Sequence, residues 1–250
     1  MINKNISSVF QNRYPILADL HTHSISSGHG STDTIPDMLK SASASGLSLL
    51  GISEHGPASA GSAKASYFQS LKLASRERFG IHVLYGCELN ILNTAGDVDL
   101  ADDILSSLDY AIISIHSPFF TPYHYKDLTQ AYIHAMDHPN VHFLGHIDDA
   151  RFPVDFDYLL EIAKKKGIFP EINNDSLMPD AYRVNGQENC LKILKICKKI
   201  ELPVLLSSDS HGKRHIGDMQ YIYPLLEELD FPAELVLNSN PSVLSDLLQL

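Results

Sequence analysis

The 250-residue chain has no tryptophan, three cysteines and few basic residues, and no apolar run reaches the roughly 18 residues of a membrane-spanning helix. Met1 to Tyr14 is polar and lacks the apolar segment of a secretory signal. The expectation is a soluble cytoplasmic protein without a membrane partner. Three cysteines are too few for a disulfide framework. Cys190 and Cys197 lie seven apart on one predicted helix face, and Cys87 points away from its neighbour Glu88, so all three read as inert core thiols in a reducing compartment. Nineteen basic against 30 acidic residues give a net charge of −11. That balance excludes loose nucleic-acid binding, which needs a basic footprint. A small anionic substrate stays open, because a metal ion can reverse the local charge.

Histidine, by contrast, is abundant, with 13 residues. Two doublets frame the chain: His21 and His23 in DLHTH, and Asp209 and His211 in SSDSH. Each ends an apolar run that reads as a buried strand, where residues i and i+2 face the same side. Two ligand-type side chains thus enter one space, and a metal ion is the natural compensation for burying them.

Seven such runs recur, at 16–23, 47–55, 82–91, 110–117, 142–148, 168–173 and 203–211. Between them lie helix-like stretches: one opening near Thr34 and Pro36 and stopping at Gly46, one from Lys64 to Phe79 stopped by Gly80, and Asp155 to Lys166 stopped by Gly167. The tail reads as a closing helix with Ser239 or Ser242 near its start. Strand–helix alternation predicts an α/β fold, a distorted seven-stranded (β/α)7 TIM-like barrel in one domain over 1–250. Its longest loops, 24–33, 56–63 and 174–188, follow strand ends, the face on which barrel active sites are built.

Nine metal-capable side chains fall at that edge: His21, His23, His29, His55, Glu88, His116, His146, Asp209 and His211. A catalytic zinc takes about three protein ligands, so nine with one shared carboxylate suit three divalent ions. Three such ions against two carboxylates and one hydroxide leave a surplus of about +3, which fits a phosphate dianion better than a neutral substrate.

The ordered set HxH-x5-H, HGP, GxExN, HSP, GH, EIN and SDSH resembles the PHP (polymerase and histidinol phosphatase) superfamily, and within it the small stand-alone phosphatases with three metals. The resemblance implies a distorted seven-stranded barrel with its metal site at the C-terminal strand ends. It implies one ion on His21, His23, Glu88 and Asp209, a second on His29, His55 and His211, and a third on Glu88, His116 and His146. Zinc leads as the metal, with manganese or iron as alternatives. The implied activity is hydrolysis of a small phosphate monoester, such as histidinol phosphate or a related metabolite, by a metal-bound hydroxide. Two departures bear on this: Glu54 stands where the family often has Asp, and Ile147-Asp148-Asp149 follows His146 where it often has Pro.

Around this set, Arg183 is the candidate phosphate fork. Asp19 either orients His21 or His23 or is buried support, Asn173 either contacts substrate or stabilises a turn, and His124 reads as a loop histidine. His82, His134, His138, His142 and His215 read as structural or surface residues. The alternatives within reach are a PHP-type exonuclease or protein-tyrosine phosphatase, an amidohydrolase-like enzyme, and a non-enzymatic metal-binding module. The amidohydrolase also opens with HxH, but its bridging lysine is replaced here by His116.

Overall fold

The computed structural model describes residues 12–117, 119 and 124–249; Met1 to Gln11 of the polar leader, Pro118 of the HSP motif and Leu250 of the tail lie outside them. The strands in chain order are β1 (Ala18–Asp19), β2 (Thr22–His23), β3 (Leu49–His55), β4 (Glu77–Arg78), β5 (Ile81–Asn90), β6 (Tyr110–Ser114), β7 (Val141–Leu144), β8 (Phe169–Asn173), β9 (Leu205–Ser207) and β10 (Ser210–His211). Strands β1, β3, β5, β6, β7, β8 and β9 are neighbours in that order, all parallel, while β10 pairs with β2. The first and last apolar runs are therefore each broken in two. Their lower halves belong to the curved sheet, and their upper halves meet across the mouth and draw the barrel toward closure.

Between β1 and β9 the ladder is replaced by one side chain. Asn238 donates through Nδ2 to the carbonyls of Ala18 (2.8 Å) and Leu206 (2.7 Å) and accepts the Leu206 amide at 2.7 Å. A primary amide supplies the same donor and acceptor as a peptide group, so it satisfies strand edges that would otherwise be buried without partners.

Alternation along the strands sorts side chains into two apolar clusters. Leu50, Ile52, Val83, Cys87 and Leu89 face the surrounding helices, whereas Leu20, Leu49, Leu84, Tyr110, Ile112, Phe143 and Leu205 fill the barrel and are closed below by Leu237, Leu244 and Leu248. Tyr110 crosses the interior and donates its hydroxyl to the Leu20 carbonyl at 2.5 Å. Gly51 and Gly86 make room for it, since a Cβ would stand 2.2 Å from the hydroxyl at Gly51 and 2.7 Å from the ring at Gly86. Tyr110 forms an apolar floor, and polar side chains occupy the space above.

The helices Ile35–Ala44 and Phe156–Lys166 form as their caps predict. Thr34 and Asp37 make a capping box, Asp155 accepts the Tyr158 amide, and Gly167 terminates in the left-handed region. The tail helix Pro241–Leu247 is capped by Asn240, between the two predicted serines. Cys87, Cys190 and Cys197 are free and buried.

The stretch Lys64 to Phe79 departs from expectation. Its helix covers only Ala65–Ser70, followed by a short 3-10 turn, and Glu77–Arg78 pairs antiparallel with the start of β5. Phe79 and Gly80 both have positive φ (56° and 75°), as a two-residue hairpin requires. The hairpin registers Arg78 with Ile81, so Gly80 is a turn residue where a helix stop was expected.

Gly51→Ala is expected to destabilise the fold by about 1–3 kcal/mol through overpacking against Tyr110, a fall in Tm of several degrees by calorimetry. An unchanged Tm would show that the residue does not lie beneath the ring.

Candidate metal centre

Register brings the ligand-type residues together at the mouth. His55 on β3 is the ladder partner of Glu88 on β5, and His211 on β10 is the partner of His23 on β2. His116 and His146 follow the ends of β6 and β7. All nine predicted residues meet in one cluster. His29 joins it from its loop, with its ring centroid 4.5 Å from that of His55.

Glu88, 1% exposed, stands at the centre. Its Oε2 lies 2.6 Å from His55 Nδ1, 3.4 Å from His21 Nε2 and 3.5 Å from His23 Nε2, while Oε1 lies 2.9 Å from His146 Nε2 and 3.2 Å from His116 Nε2. Each carboxylate oxygen thus faces its own group of imidazoles, the arrangement of a bridging ligand. Asp209 Oδ1 closes one side, 3.3 Å from His23 Nε2 and 3.6 Å from His21 Nε2. Facing imidazole nitrogens stand 3.1 Å apart in His116 and His146, and 3.3 Å apart in His55 and His211. Ligand atoms about 2.0–2.1 Å from a tetrahedral zinc are about 3.3 Å from one another.

The donor chemistry fits cations equally well. His21 Nε2, His23 Nε2, His55 Nδ1, Glu88 Oε2 and Asp209 Oδ1 are buried without a hydrogen-bond partner. Such atoms are costly unless something satisfies them, and these five converge. The ligand atoms of His21, His23 and Glu88 lie within 4.8 Å of one another, as do those of His23, His55 and His211 and those of His55, Glu88 and His116. Three cluster members, His29, His146 and Asp209, hold positive φ (53°, 27° and 51°). Backbone of that kind persists where surrounding contacts over-determine it, often at functional sites.

Electrostatics sort the protonation states. Burial alone would raise Glu88, but His116, His55 and His21 outweigh it and hold the carboxyl well below its usual range. Burial likewise opposes ionisation of Asp209, yet His21 and Arg183 keep it well below. Burial, with His55 and His211, pushes His23 down, and burial, with Arg183, lowers His146 to about 4, so both present the neutral imidazole that ligates.

Residues behind the cluster fix its geometry. Glu171 Oε1 accepts from His21 Nδ1 at 2.5 Å, and Oε2 accepts the His146 amide at 2.7 Å. Ser27 Oγ meets His23 Nδ1 at 3.0 Å and is itself held by Glu54, which also binds Ser24. Asn90 Oδ1 faces His116 Nδ1 at 2.8 Å, with Asp99 behind it. Arg183 is buried and donates to Asp209 Oδ2 at 2.7 Å; Asn173 Nδ2 adds a 3.0 Å bond to the same oxygen while its Oδ1 accepts the Asp175 amide.

Asp19 takes the supporting role: it accepts from Ser208 and the Gly217 amide and so anchors the chain on both sides of Asp209. Glu171 does the orienting. It shares a strand face with Asn173, and a carboxylate in a buried parallel strand was the available signal. His124 caps the helix Tyr125–Ala135. His82, His134, His138 and His142 bond Glu77, Thr94, Asp102 and Asn140, and His215 lies near Asp218, all apart from the cluster.

The PHP domain model matches residues 19–175. The chain belongs to the PHP domain family. As a PHP domain it is 39% identical over 233 residues to a probable phosphatase of Clostridium acetobutylicum, covering 93% of this chain and 94% of that one. It is 34% identical over 224 residues to a probable phosphatase of Acetivibrio thermocellus, covering 90% and 91%. The same PHP fold occurs in the crystal structure of histidinol phosphate phosphatase from Lactococcus lactis, complexed with zinc, L-histidinol and phosphate. That match has a TM-score of 0.59 at 18% identity and covers 87% of this chain and 93% of that one. No helix among the described residues is long and apolar enough to cross a membrane.

Glu171→Gln is expected to weaken metal affinity about 10- to 100-fold by loosening His21 and His146, read by competition with a chromophoric chelator. Parental affinity in the variant would remove Glu171 from that role.

Proposed function

We propose that residues 1–250 are one metal-dependent phosphatase domain, cytoplasmic, that hydrolyses phosphate monoesters of small molecules. The observation that carries this reading is the convergence of five unsatisfied buried ligand atoms around Glu88, beside a cavity of about 300 Å³ bordered by His29, His55, His116 and His146. The relatives named probable phosphatases, and the zinc, histidinol and phosphate of the Lactococcus lactis complex, support it.

Three divalent ions, zinc first among the candidates, would take the ligand sets His21, His23, Glu88 and Asp209; His29, His55 and His211; and Glu88, His116 and His146. Bound there, they supply Lewis acidity and lower the pKa of water. The protein's own part is positional. Glu171, Ser27 and Asn90 fix three imidazoles, which limits reorganisation during reaction. Arg183 holds Asp209 while bordering a second opening with His29, His55, His116 and His211. Its guanidinium, at the edge of that opening, is the group proposed to meet a phosphate oxygen. Asp209 serves as ligand and as the anchor that keeps this guanidinium in place.

Elemental analysis of freshly purified protein should give about three metals per chain, and p-nitrophenyl phosphate hydrolysis on the same sample should vanish on chelation. One or two metals without phosphate release would overturn the reading. Arg183→Ala should lower kcat/KM for that ester about 100-fold, and parental kinetics would place Arg183 outside the phosphate site.

A further inference from the structure

The cavity beside the imidazoles has a second wall, made by Asp149, Arg151 and Tyr182. Asp149 and Arg151 come from the segment after His146, where this sequence departs from the common family pattern, and Tyr182 comes from the loop after β8. Arg151 turns back on Asp149: its Nε lies 3.0 and 2.9 Å from the two carboxylate oxygens, and its NH2 also donates to Oδ2. The Arg151 and Val184 amides donate to Oδ1 at 3.1 and 3.3 Å, and the Ala150 amide donates to the Val184 carbonyl at 2.9 Å. The two loops are thus tied into one unit. Tyr182 stands between two guanidiniums, its ring centroid 4.6 Å from Cζ of Arg151 and 5.2 Å from Cζ of Arg183.

This wiring decides what the wall can bind. Asp149 is 4% exposed at its side chain and already accepts from four donors, so it has little capacity left for a cationic amine. Arg151 keeps 36% of its side chain exposed. A guanidinium has five N–H donors and no acceptor; Asp149 and the Tyr182 hydroxyl engage part of them, and the exposed remainder borders the cavity. A donor-only group held in one orientation selects carboxylate or phosphate oxygens. We infer that Arg151, fixed by Asp149 and Tyr182, is the specificity residue for the leaving group, and that the preferred substrates are phosphate monoesters carrying a second anionic group. The inference rests on the phosphatase reading above.

The test compares kcat/KM of the metal-loaded protein for 3-phosphoglycerate, glycerol 3-phosphate and phosphoethanolamine. The first two differ by a carboxylate in place of a hydroxymethyl group, and the third has a cationic leaving group. The expected order is anionic, neutral, cationic, with about a tenfold anionic-to-neutral ratio that Arg151→Gln brings close to one. A ratio taken within one sample is independent of the folded fraction. As a measurement on the parent alone, free glycerate should inhibit p-nitrophenyl phosphate hydrolysis at lower concentration than glycerol. A parental ratio near one, a ratio unchanged in Arg151→Gln, or equal inhibition by the two would overturn the inference and leave the phosphatase reading standing. Hydrolysis of none of the esters, p-nitrophenyl phosphate included, would overturn both.

Discussion

The Glu88 carboxylate carries a charge at the centre of the barrel mouth that the interior cannot hold alone. Moving such a group out of water costs several kcal/mol even after relaxation. Five imidazoles, from His21, His23, His55, His116 and His146, surround it within 3.5 Å. His116, His55 and His21 hold it ionised, and the unpartnered nitrogens of His21, His23 and His55 are crowded into the same buried space. Cations between them resolve both conflicts together, since they attract the carboxylate and the lone pairs alike. The rest of the molecule can be understood as the frame this cluster needs.

That frame has a dry part and a polar part. Tyr110 seals the barrel below, with Gly51 and Gly86 cut back to admit its ring. Above it, Glu171 touches His21 through a side-chain bond and His146 through a backbone bond, so one carboxylate ties two strands to the centre. Glu54 acts at one remove, through Ser27, and its extra methylene relative to Asp spans that distance. The positive φ at His146 and Asp209 shows the chain bent to deliver ligands after the regular strands have ended. Such bends are stable because packed neighbours hold both sides.

Charge is distributed unevenly in this acidic protein. The chain as a whole carries a net −11, yet the rim of the cavity carries Arg151 and Arg183 with Tyr182 between them. Each guanidinium is tethered by a carboxylate, Asp149 or Asp209, which fixes its direction. The tether lowers the local field and sharpens geometry, so recognition here depends on donor placement more than on bulk attraction.

The sequence by itself determined the seven-stranded parallel alternation and named the nine residues that gather at its mouth: two doublets carry the period-2 signature of a buried strand, and the others lie at or after strand ends. It also determined the caps at Thr34 and Asp155. Lys64 to Phe79 was misjudged: Gly80 suits a helix stop and a hairpin turn equally, and only pairing with β5 chose between them. For Asp19, sharing a strand face with His21 and His23 left ligand orientation and buried support both open, and the bonds from Ser208 and Gly217 chose the second. Glu171, Asn238 and the Asp149–Arg151 pair were decided by tertiary structure alone. Their partners lie 150, 220 or 32 residues away in sequence for Glu171 with His21, Asn238 with Ala18, and Asn238 with Leu206. For Arg151, two residues from Asp149, it is the wall opposite the imidazoles that gives the pair a meaning. Residue type and spacing encode what one strand presents; what that group meets is set only when the sheet curls and its ends come together.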